Sequence, residues 1–119
     1  MSELTRHYFS KKISWQDRQD EFDEFLKHLV AIYSPDCVYV FGSFLEEKFD
    51  ECSDFDVLVI FGDSHAAKNA WRKRTQLRSR VTRSFDLVAI DKEAFDRKSA
   101  IGGVAYLAKT EGKLVFKAL

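Results

Sequence analysis

Two apolar runs in the middle of the chain carry polar residues where they end or begin. The run Cys37–Phe41 is followed at once by Gly42-Ser43. The run Asp54–Phe61 begins with Asp-Phe-Asp, and ten residues separate it from Ser43. β-Branched and aromatic residues dominate both runs, which predicts two strands, and the second is apolar enough to be covered on both faces. Two acids at the start of such a strand need a partner, because an unpaired charge is costly to bury.

A third acid extends this pattern to a third strand. Asp54 and Asp56 are two residues apart, so a strand turns both side chains to one face, with Cα atoms roughly 6.5 to 7 Å apart. Carboxylates at that spacing can converge on two metal ions about 3.5 to 4 Å apart. Asp86 lies in the strand-like run Phe85–Ile90 and joins them if the two strands pair. Such carboxylates repel one another, divalent cations remove the repulsion, and oxygen ligands favour Mg²⁺ or Mn²⁺.

Gly42-Ser43 stands at a predicted strand-to-helix turn. Glycine lets the backbone approach a phosphate closely, amide groups at the following helix start can donate to phosphate oxygens, and the Ser43 hydroxyl adds a donor. The aspartates also have simpler structural interpretations. Asp54 can cap the entry to its strand, and Asp86 can form a salt bridge with a nearby arginine such as Arg83.

The rest of the chain predicts a single domain over residues 1–119, in which residues 1–13 form an N-terminal arm. Ser14 is a helix N-cap, followed by a stripe of apolar residues that we assign, with Trp15, to the core and that Pro35 ends. The pattern predicts further elements: a short helix over 44–50, a helix from 63 or 64 through Trp71 to about 81, helical segments after Asp91 interrupted at Gly102-Gly103, and an edge strand over 113–119.

Charge is balanced overall but segregated along the chain. Net charge is zero, yet residues 17–24 hold five acids while residues 64–85 hold seven bases and no acid. The basic stretch can shield phosphates, bind RNA, dock a partner, or simply be a solvated helix face; Trp71 is its one stacking residue, so single-stranded nucleic acid is weakly supported. Without a signal peptide or a bilayer-spanning run, we expect a cytoplasmic protein that does not enter a membrane.

The residues Gly42, Ser43, Asp54, Asp56 and Asp86 resemble the pattern of the nucleotidyltransferase superfamily named for DNA polymerase beta, above all its smallest members, the minimal nucleotidyltransferases. The resemblance covers roughly residues 22–116. It implies an α/β (α+β) fold, a small mixed β-sheet with helices packed on it, similar to the polymerase beta palm. The chain departs from the pattern at Phe44, where an arginine or another large residue often follows the serine, and at Glu47, where many members have a glycine.

The resemblance also implies roles for these residues. Asp54 and Asp56 would bind two Mg²⁺ ions, and Asp86 would bind the catalytic metal and help to activate an acceptor hydroxyl. Gly42 and Ser43 would hold the triphosphate of ATP or another nucleoside triphosphate. The acceptor would attack the α-phosphate and expel pyrophosphate, so that AMP is transferred.

Three functions remain open on this basis. The first is nucleotide transfer to a small helical partner protein, such as a toxin for which this chain is the antitoxin. The second is a catalytically inactive module of the same fold that acts by binding its partner. The third is modification of a small molecule, similar to the aminoglycoside nucleotidyltransferases, with a homodimer supplying the missing wall of the substrate site.

Overall fold

The computed structural model describes residues 12–118, so most of the predicted N-terminal arm and the last residue of the predicted final strand lie outside it. Within these bounds the chain forms four strands, five α-helices and two 3₁₀ turns. Their bounds are α1 Trp15–Tyr33, β1 Cys37–Phe41, a 3₁₀ turn Gly42–Leu45, β2 Phe55–Phe61, α2 Ser64–Asn69, a 3₁₀ turn Ala70–Lys73, α3 Arg74–Arg78, β3 Phe85–Asp91, α4 Lys92–Ser99, α5 Gly103–Thr110 and β4 Lys113–Lys117.

The strands form one mixed sheet in the order β3-β2-β1-β4, which confirms the predicted α/β architecture. β1 pairs antiparallel with β2 and with β4, whereas β2 and β3 run parallel. The pairing sets Phe41 opposite Asp56 on one side, and Asp86 beside Asp56 on the other. The end of β1 and the starts of β2 and β3 therefore meet at one end of the sheet.

Helix α1 follows the predicted pattern. The Ser14 hydroxyl accepts a hydrogen bond from the Asp17 N–H at 3.1 Å, which satisfies one of the donors left over at a helix start. Four apolar residues of its stripe are buried, namely Phe22, Phe25, Leu29 and Tyr33. The helix ends at Ser34, in the left-handed conformation with φ of 47°, immediately before Pro35.

Both faces of β2 are covered, as its apolar sequence predicts. The odd-numbered residues from Phe55 to Phe61 pack with α1 and with buried residues of the α2–α3 region, such as Leu77. Leu58 and Ile60 point to the opposite face, where Phe95 of α4 and two alanines of α5 cover them. Asp56 precedes Leu58 on that second face, at the end of the sheet that carries the polar residues.

Several predicted details are wrong. The helix expected from 63 to about 81 consists of α2, a 3₁₀ turn and α3, and ends at Arg78. Trp15, predicted to lie in the core, is 55% exposed, and Trp71 is 65% exposed. The helix expected over 44–50 is a 3₁₀ turn that begins two residues earlier, at Gly42, because that glycine itself bends the chain.

The last strand ends at Lys117 and pairs with β1 at the sheet edge, as its lysines predict. Between Lys12 and Ala118, no helix combines the length and the apolar character needed to cross a bilayer.

Candidate functional site

The 3₁₀ turn Gly42–Leu45, here called the Gly42 turn, follows β1 directly and bends the chain against the start of β2. Gly42 has a φ of +71°, a conformation that L side chains rarely adopt. A Cβ atom at this position would lie 2.2 Å from the Asp56 Oδ2 atom. Glycine is therefore required both by the backbone conformation and by the close approach of the carboxylate.

Ser43 joins the turn to Asp54 and Asp56. Its backbone N–H donates a hydrogen bond to the Asp56 carboxylate, which lowers the pKa of that group. Its hydroxyl donates to the backbone carbonyl of Asp54 at 3.2 Å. The serine thus fixes the distance between the turn and the strand that carries the acids.

Asp56 and Asp86 are direct neighbours on the parallel strands β2 and β3. This places the carboxyl group of Asp86 close enough to act on the pKa of Asp56. Burial, followed by the charges of Asp86 and Asp54, raises the pKa of Asp56 from 3.8 to about 6. Asp86 itself is exposed, because β3 is an edge strand of the sheet.

Asp54 lies one residue before β2 and is half-buried. Its Oδ1 atom accepts a hydrogen bond from the hydroxyl of Ser84, which precedes β3. The carboxylate is close enough for its charge to raise the pKa of Asp56. The three predicted acids therefore lie at the same end of the sheet, and Asp54 is turned toward Ser84.

Arg83, the predicted alternative partner of Asp86, is engaged elsewhere. Its Nε and Nη2 atoms donate to the carboxylate of Glu21 in α1. Its Nη1 atom donates to the carbonyls of Asp50 and Ser53, at 3.0 and 2.6 Å. The interpretation in which Asp86 merely neutralises Arg83 is therefore wrong, since the arginine ties α1 to the loop before β2 instead.

Two buried side chains support the Gly42 turn, and the burial of neither was predicted from the sequence. Arg18 of α1 is 2% exposed and donates through Nη1 to the carbonyls of Phe44 and Glu46. Phe44 is 4% exposed and packs on Phe22 with 4.5 Å between ring centroids. The spacing of Arg18, four residues before Phe22 and on the same helical stripe, is the sequence signal that could have revealed its burial.

The donor set of the three aspartates suits a hard divalent cation. All the side-chain ligands are carboxylate oxygens, which Mg²⁺ and Mn²⁺ prefer, and a cation would relieve the repulsion that raises the pKa of Asp56. In the arrangement described for residues 12–118, no three His, Cys, Asp or Glu side chains are already grouped to hold a metal ion. Binding would therefore require a side-chain rotation. The Asp54 side chain would rotate away from the Ser84 hydroxyl, to which it is hydrogen-bonded.

A groove of about 480 Å³ lies at the other end of the sheet and does not belong to this site. It is lined by Cys37 at the start of β1, Ile60 near the end of β2 and Phe95 of α4, among others. Ile60 is four residues beyond Asp56, about 13 Å along the strand. The aspartates instead face the open end of the sheet beside the Gly42 turn.

A mixed sheet with a glycine turn against paired aspartates defines the class of nucleotidyltransferase-like folds. The family model described as Polymerase beta, Nucleotidyltransferase matches residues 23–117. The chain therefore belongs to this nucleotidyltransferase family, and the resemblance read from its motifs is confirmed. No curated protein sequence matches it significantly.

Two solved structures match the chain. One is a Sulfolobus solfataricus protein assigned as a nucleotidyltransferase, 19% identical, with a TM-score of 0.57 over 92% of each chain. The other is a Shewanella oneidensis complex of a tri-AMPylated HEPN toxin with an MNT antitoxin, at 20% identity and a TM-score of 0.44, covering 88% of this chain and 74% of that chain. At 19% identity, the similarity to the Sulfolobus protein supports the fold and not the activity.

Proposed function

We propose that the chain is a Mg²⁺-dependent nucleotidyltransferase that transfers AMP from ATP to a hydroxyl group. The observation that carries the proposal is the contact between the Gly42 turn and Asp56, beside Asp86 on the neighbouring strand. A glycine that no other residue can replace is placed against a carboxylate pair at an open end of the sheet. That arrangement suits a polyanionic substrate held by backbone donors and bridged to acids by cations.

Each site residue would have a separate role in the transfer reaction. Asp54, Asp56 and Asp86 would hold Mg²⁺ or Mn²⁺, which when bound neutralises charge on the triphosphate and on the leaving pyrophosphate. Gly42 and Ser43 would accommodate the phosphates through the close backbone approach and the serine hydroxyl. The acceptor oxygen would attack the α-phosphorus, the bond to the bridging oxygen would break, and the acceptor proton would pass to Asp86.

The exposure of Asp86 supports a large acceptor. Because β3 is an edge strand, a hydroxyl on the surface of another protein can reach this carboxylate without entering a deep pocket. We therefore propose a hydroxyl-bearing side chain of a helical partner protein, such as a toxin, as the acceptor. We also propose that the protein acts in the cytoplasm, where ATP and Mg²⁺ are both abundant.

A binding module without activity is the second candidate. The bond between Ser84 and Asp54, together with the departures at Phe44 and Glu47, favours it, since a carboxylate held by a hydroxyl is not yet turned to a metal. In that case the chain would neutralise its partner through surface contact. Asp54→Asn and Asp56→Asn separate the two functions, because they remove the charges for metal binding while leaving the surface nearly unchanged.

Labelled ATP tests the transfer directly. The purified protein is incubated with Mg²⁺, a partner encoded beside it, and ATP labelled at either the α- or the γ-phosphate. Nucleotide transfer leaves the α label on the partner and the γ label in pyrophosphate, whereas phosphate transfer would leave the γ label on the partner and the α label in ADP. Label that stays in ATP, or that appears equally with Asp56→Asn, would contradict the proposal. Partner neutralisation that survives in both asparagine variants would favour the binding module.

A further inference from the structure

Arg18 reaches from α1 to the underside of the Gly42 turn. Its side chain is among the most deeply buried in the described chain, with 2% of the residue exposed. Nη1 donates to the carbonyl oxygens of Phe44 at 2.9 Å and Glu46 at 2.7 Å. One guanidinium nitrogen therefore fixes two carbonyls at the end of the turn, 26 and 28 residues further along the chain.

The guanidinium of Arg18 is contacted by backbone carbonyls and by aromatic rings. Between Lys12 and Ala118, no carboxylate lies within ion-pairing distance of it. The guanidinium instead lies 4.0 Å from the centre of the Trp15 ring and 4.6 Å from that of Phe49. Burial lowers the pKa of Arg18, but a guanidinium keeps its proton in proteins. Burying a cation is costly, carbonyls and rings offset part of that cost, and an anion nearby would offset more of it.

The two carbonyl contacts also orient the turn. In a trans peptide the C=O and N–H of one unit point in opposite directions, so bonds to the carbonyls of Phe44 and Glu46 turn the N–H groups of Leu45 and Glu47 away from the guanidinium. The beginning of the turn is held separately, by the contacts of Ser43 with Asp54 and Asp56. The turn is therefore fixed at its start by the acids and at its end by Arg18.

We infer that Arg18 is a positioning residue that holds the backbone of the Gly42 turn in the conformation needed to bind the triphosphate of a nucleotide, and that its positive charge contributes to the electrostatic potential there. The inference rests on the proposed function, because it takes the turn as the phosphate-binding element. Arg18 does not touch the substrate. It acts through the backbone of the turn, and its positive charge favours a polyanion on the other side.

Arg18→Met and Arg18→Lys test this role, with Arg83→Lys as the matched control. Methionine keeps much of the apolar stem but removes the charge and both donors, whereas lysine keeps the charge but loses the planar fork. The Arg83 side chain is 9% exposed, donates to two backbone carbonyls and lies over Phe49, but those carbonyls belong to Asp50 and Ser53. The control therefore carries a similar structural loss outside the turn.

The first measurement is amide hydrogen exchange at residues 43–47, referred to the global stability of each variant. In Arg18→Met these amides should exchange about tenfold faster than in the wild type, because local opening no longer breaks two charge-assisted bonds. Arg18→Lys should lie between the two, and Arg83→Lys should leave the turn protected. Exchange at the turn that is unchanged in both Arg18 variants would overturn the inference, and the lysine variant decides if the methionine variant does not fold.

The second measurement is the Kd for MgATP by titration calorimetry. It should rise about tenfold in Arg18→Met and less in Arg18→Lys, in keeping with the loss of a preorganised turn. An unchanged Kd despite faster exchange at the turn would also overturn the inference. A wild-type protein that binds no MgATP would refute the proposed function instead, while the exchange measurement would still show whether Arg18 fixes the turn.

Discussion

Gly42 and Asp56 are packed so closely that a single added carbon atom at Gly42 would lie 2.2 Å from the aspartate Oδ2. The contact joins the two most informative motifs of the sequence, the glycine-serine pair and the paired aspartates. Asp56 in turn is the direct neighbour of Asp86 on the parallel strand β3. One glycine therefore sets the position of the carboxylate pair on which the proposed chemistry depends.

Gly42→Ala should weaken both the fold and the site. The new Cβ clashes with Asp56, and the φ of +71° strains any residue with a side chain, at a cost of order 1–3 kcal/mol for the backbone alone. The carboxylate must move to make room, so the variant should transfer at least about a hundredfold less nucleotide, in line with the effect of small misplacements at catalytic sites. Chemical denaturation and the labelled-ATP assay measure the two losses.

Gly103→Ala is the matched control for this change. Gly103 also has a positive φ, of 80°, but a Cβ atom there would meet no atom within 4 Å. It should therefore show the backbone strain without the clash, with a smaller loss of stability and little change in transfer. Equal losses of activity in the two alanine variants would show that the contact between Gly42 and Asp56 is unimportant.

The raised pKa of Asp56 predicts a specific dependence of stability on pH. With a pKa of about 6 in the folded protein against 3.8 for the free group, the folded state binds more protons than the unfolded state between these values. This group's contribution is therefore complete below about pH 4 and is lost as the pH rises through 6. After allowance for solvent screening, we expect a loss of about 1–2 kcal/mol.

Asp56→Asn isolates that contribution from the other carboxylates of the protein. The difference in unfolding free energy between the variant and the wild type should shift by about 1–2 kcal/mol in favour of the variant when the pH is raised from 4 to 7.5. The reason is that asparagine does not acquire the charge that burial and the charges of Asp86 and Asp54 oppose. Urea denaturation at both pH values measures the difference, with Asp96→Asn on the exposed surface of α4 as the control. A difference in unfolding free energy that is the same at both pH values would contradict a raised pKa at Asp56.

Added Mg²⁺ should reverse the same penalty. At neutral pH, a metal held at ten to a hundred times its Kd should stabilise the wild type by about 1.4–2.7 kcal/mol, and EDTA should remove the effect. Asp56→Asn and Asp86→Asn should lose the response. Without metal, the asparagine variants should be more stable than the wild type, and added Mg²⁺ should stabilise them less. Thermal denaturation with and without Mg²⁺ measures both differences. A response retained in both variants would place the metal elsewhere.

The sequence predicts the main framework because the signals for it are local. Alternation along a strand places Asp54 and Asp56 on one face, and the apolar content of β2 predicts its coverage on both sides. The pairing of β2 with β3 is a property of the sheet, and only the structure brings Asp86 beside Asp56. Composition and spacing therefore indicate which acids belong together, but not how their carboxyl groups interact.

Long-range partners explain the details that the sequence does not show. Arg83 bonds Glu21 across 62 residues, and Arg18 bonds the carbonyl of Phe44 across 26. The helical stripe indicates that Arg18 faces the core, but arginine is mostly exposed, and nothing local indicates that its partners are carbonyls of a distant turn. The position of Trp15 also depends on such a partner, because its exposed ring contacts the Arg18 guanidinium.

Phe44, one of the departures from the family pattern, should be needed for the shape of the turn. Its ring packs on Phe22, Phe49 and Phe55, so Phe44→Ala should cost about 3–5 kcal/mol of unfolding free energy. The loss should also free the Gly42 turn, since Phe44 is its third residue. Denaturation measures the first effect, and amide exchange at residues 43–47 measures the second.

Phe95→Ala gives the comparison that decides whether the effect on the turn is specific. Phe95 is 6% exposed and belongs to the other apolar cluster, on the α4 and α5 side of the sheet. Both alanine variants should lose comparable stability, but only Phe44→Ala should speed exchange at the turn and raise the Kd for MgATP. If Phe95→Ala does the same, the turn responds to general loosening of the fold, and the phenylalanine after Ser43 has no special part in nucleotide binding.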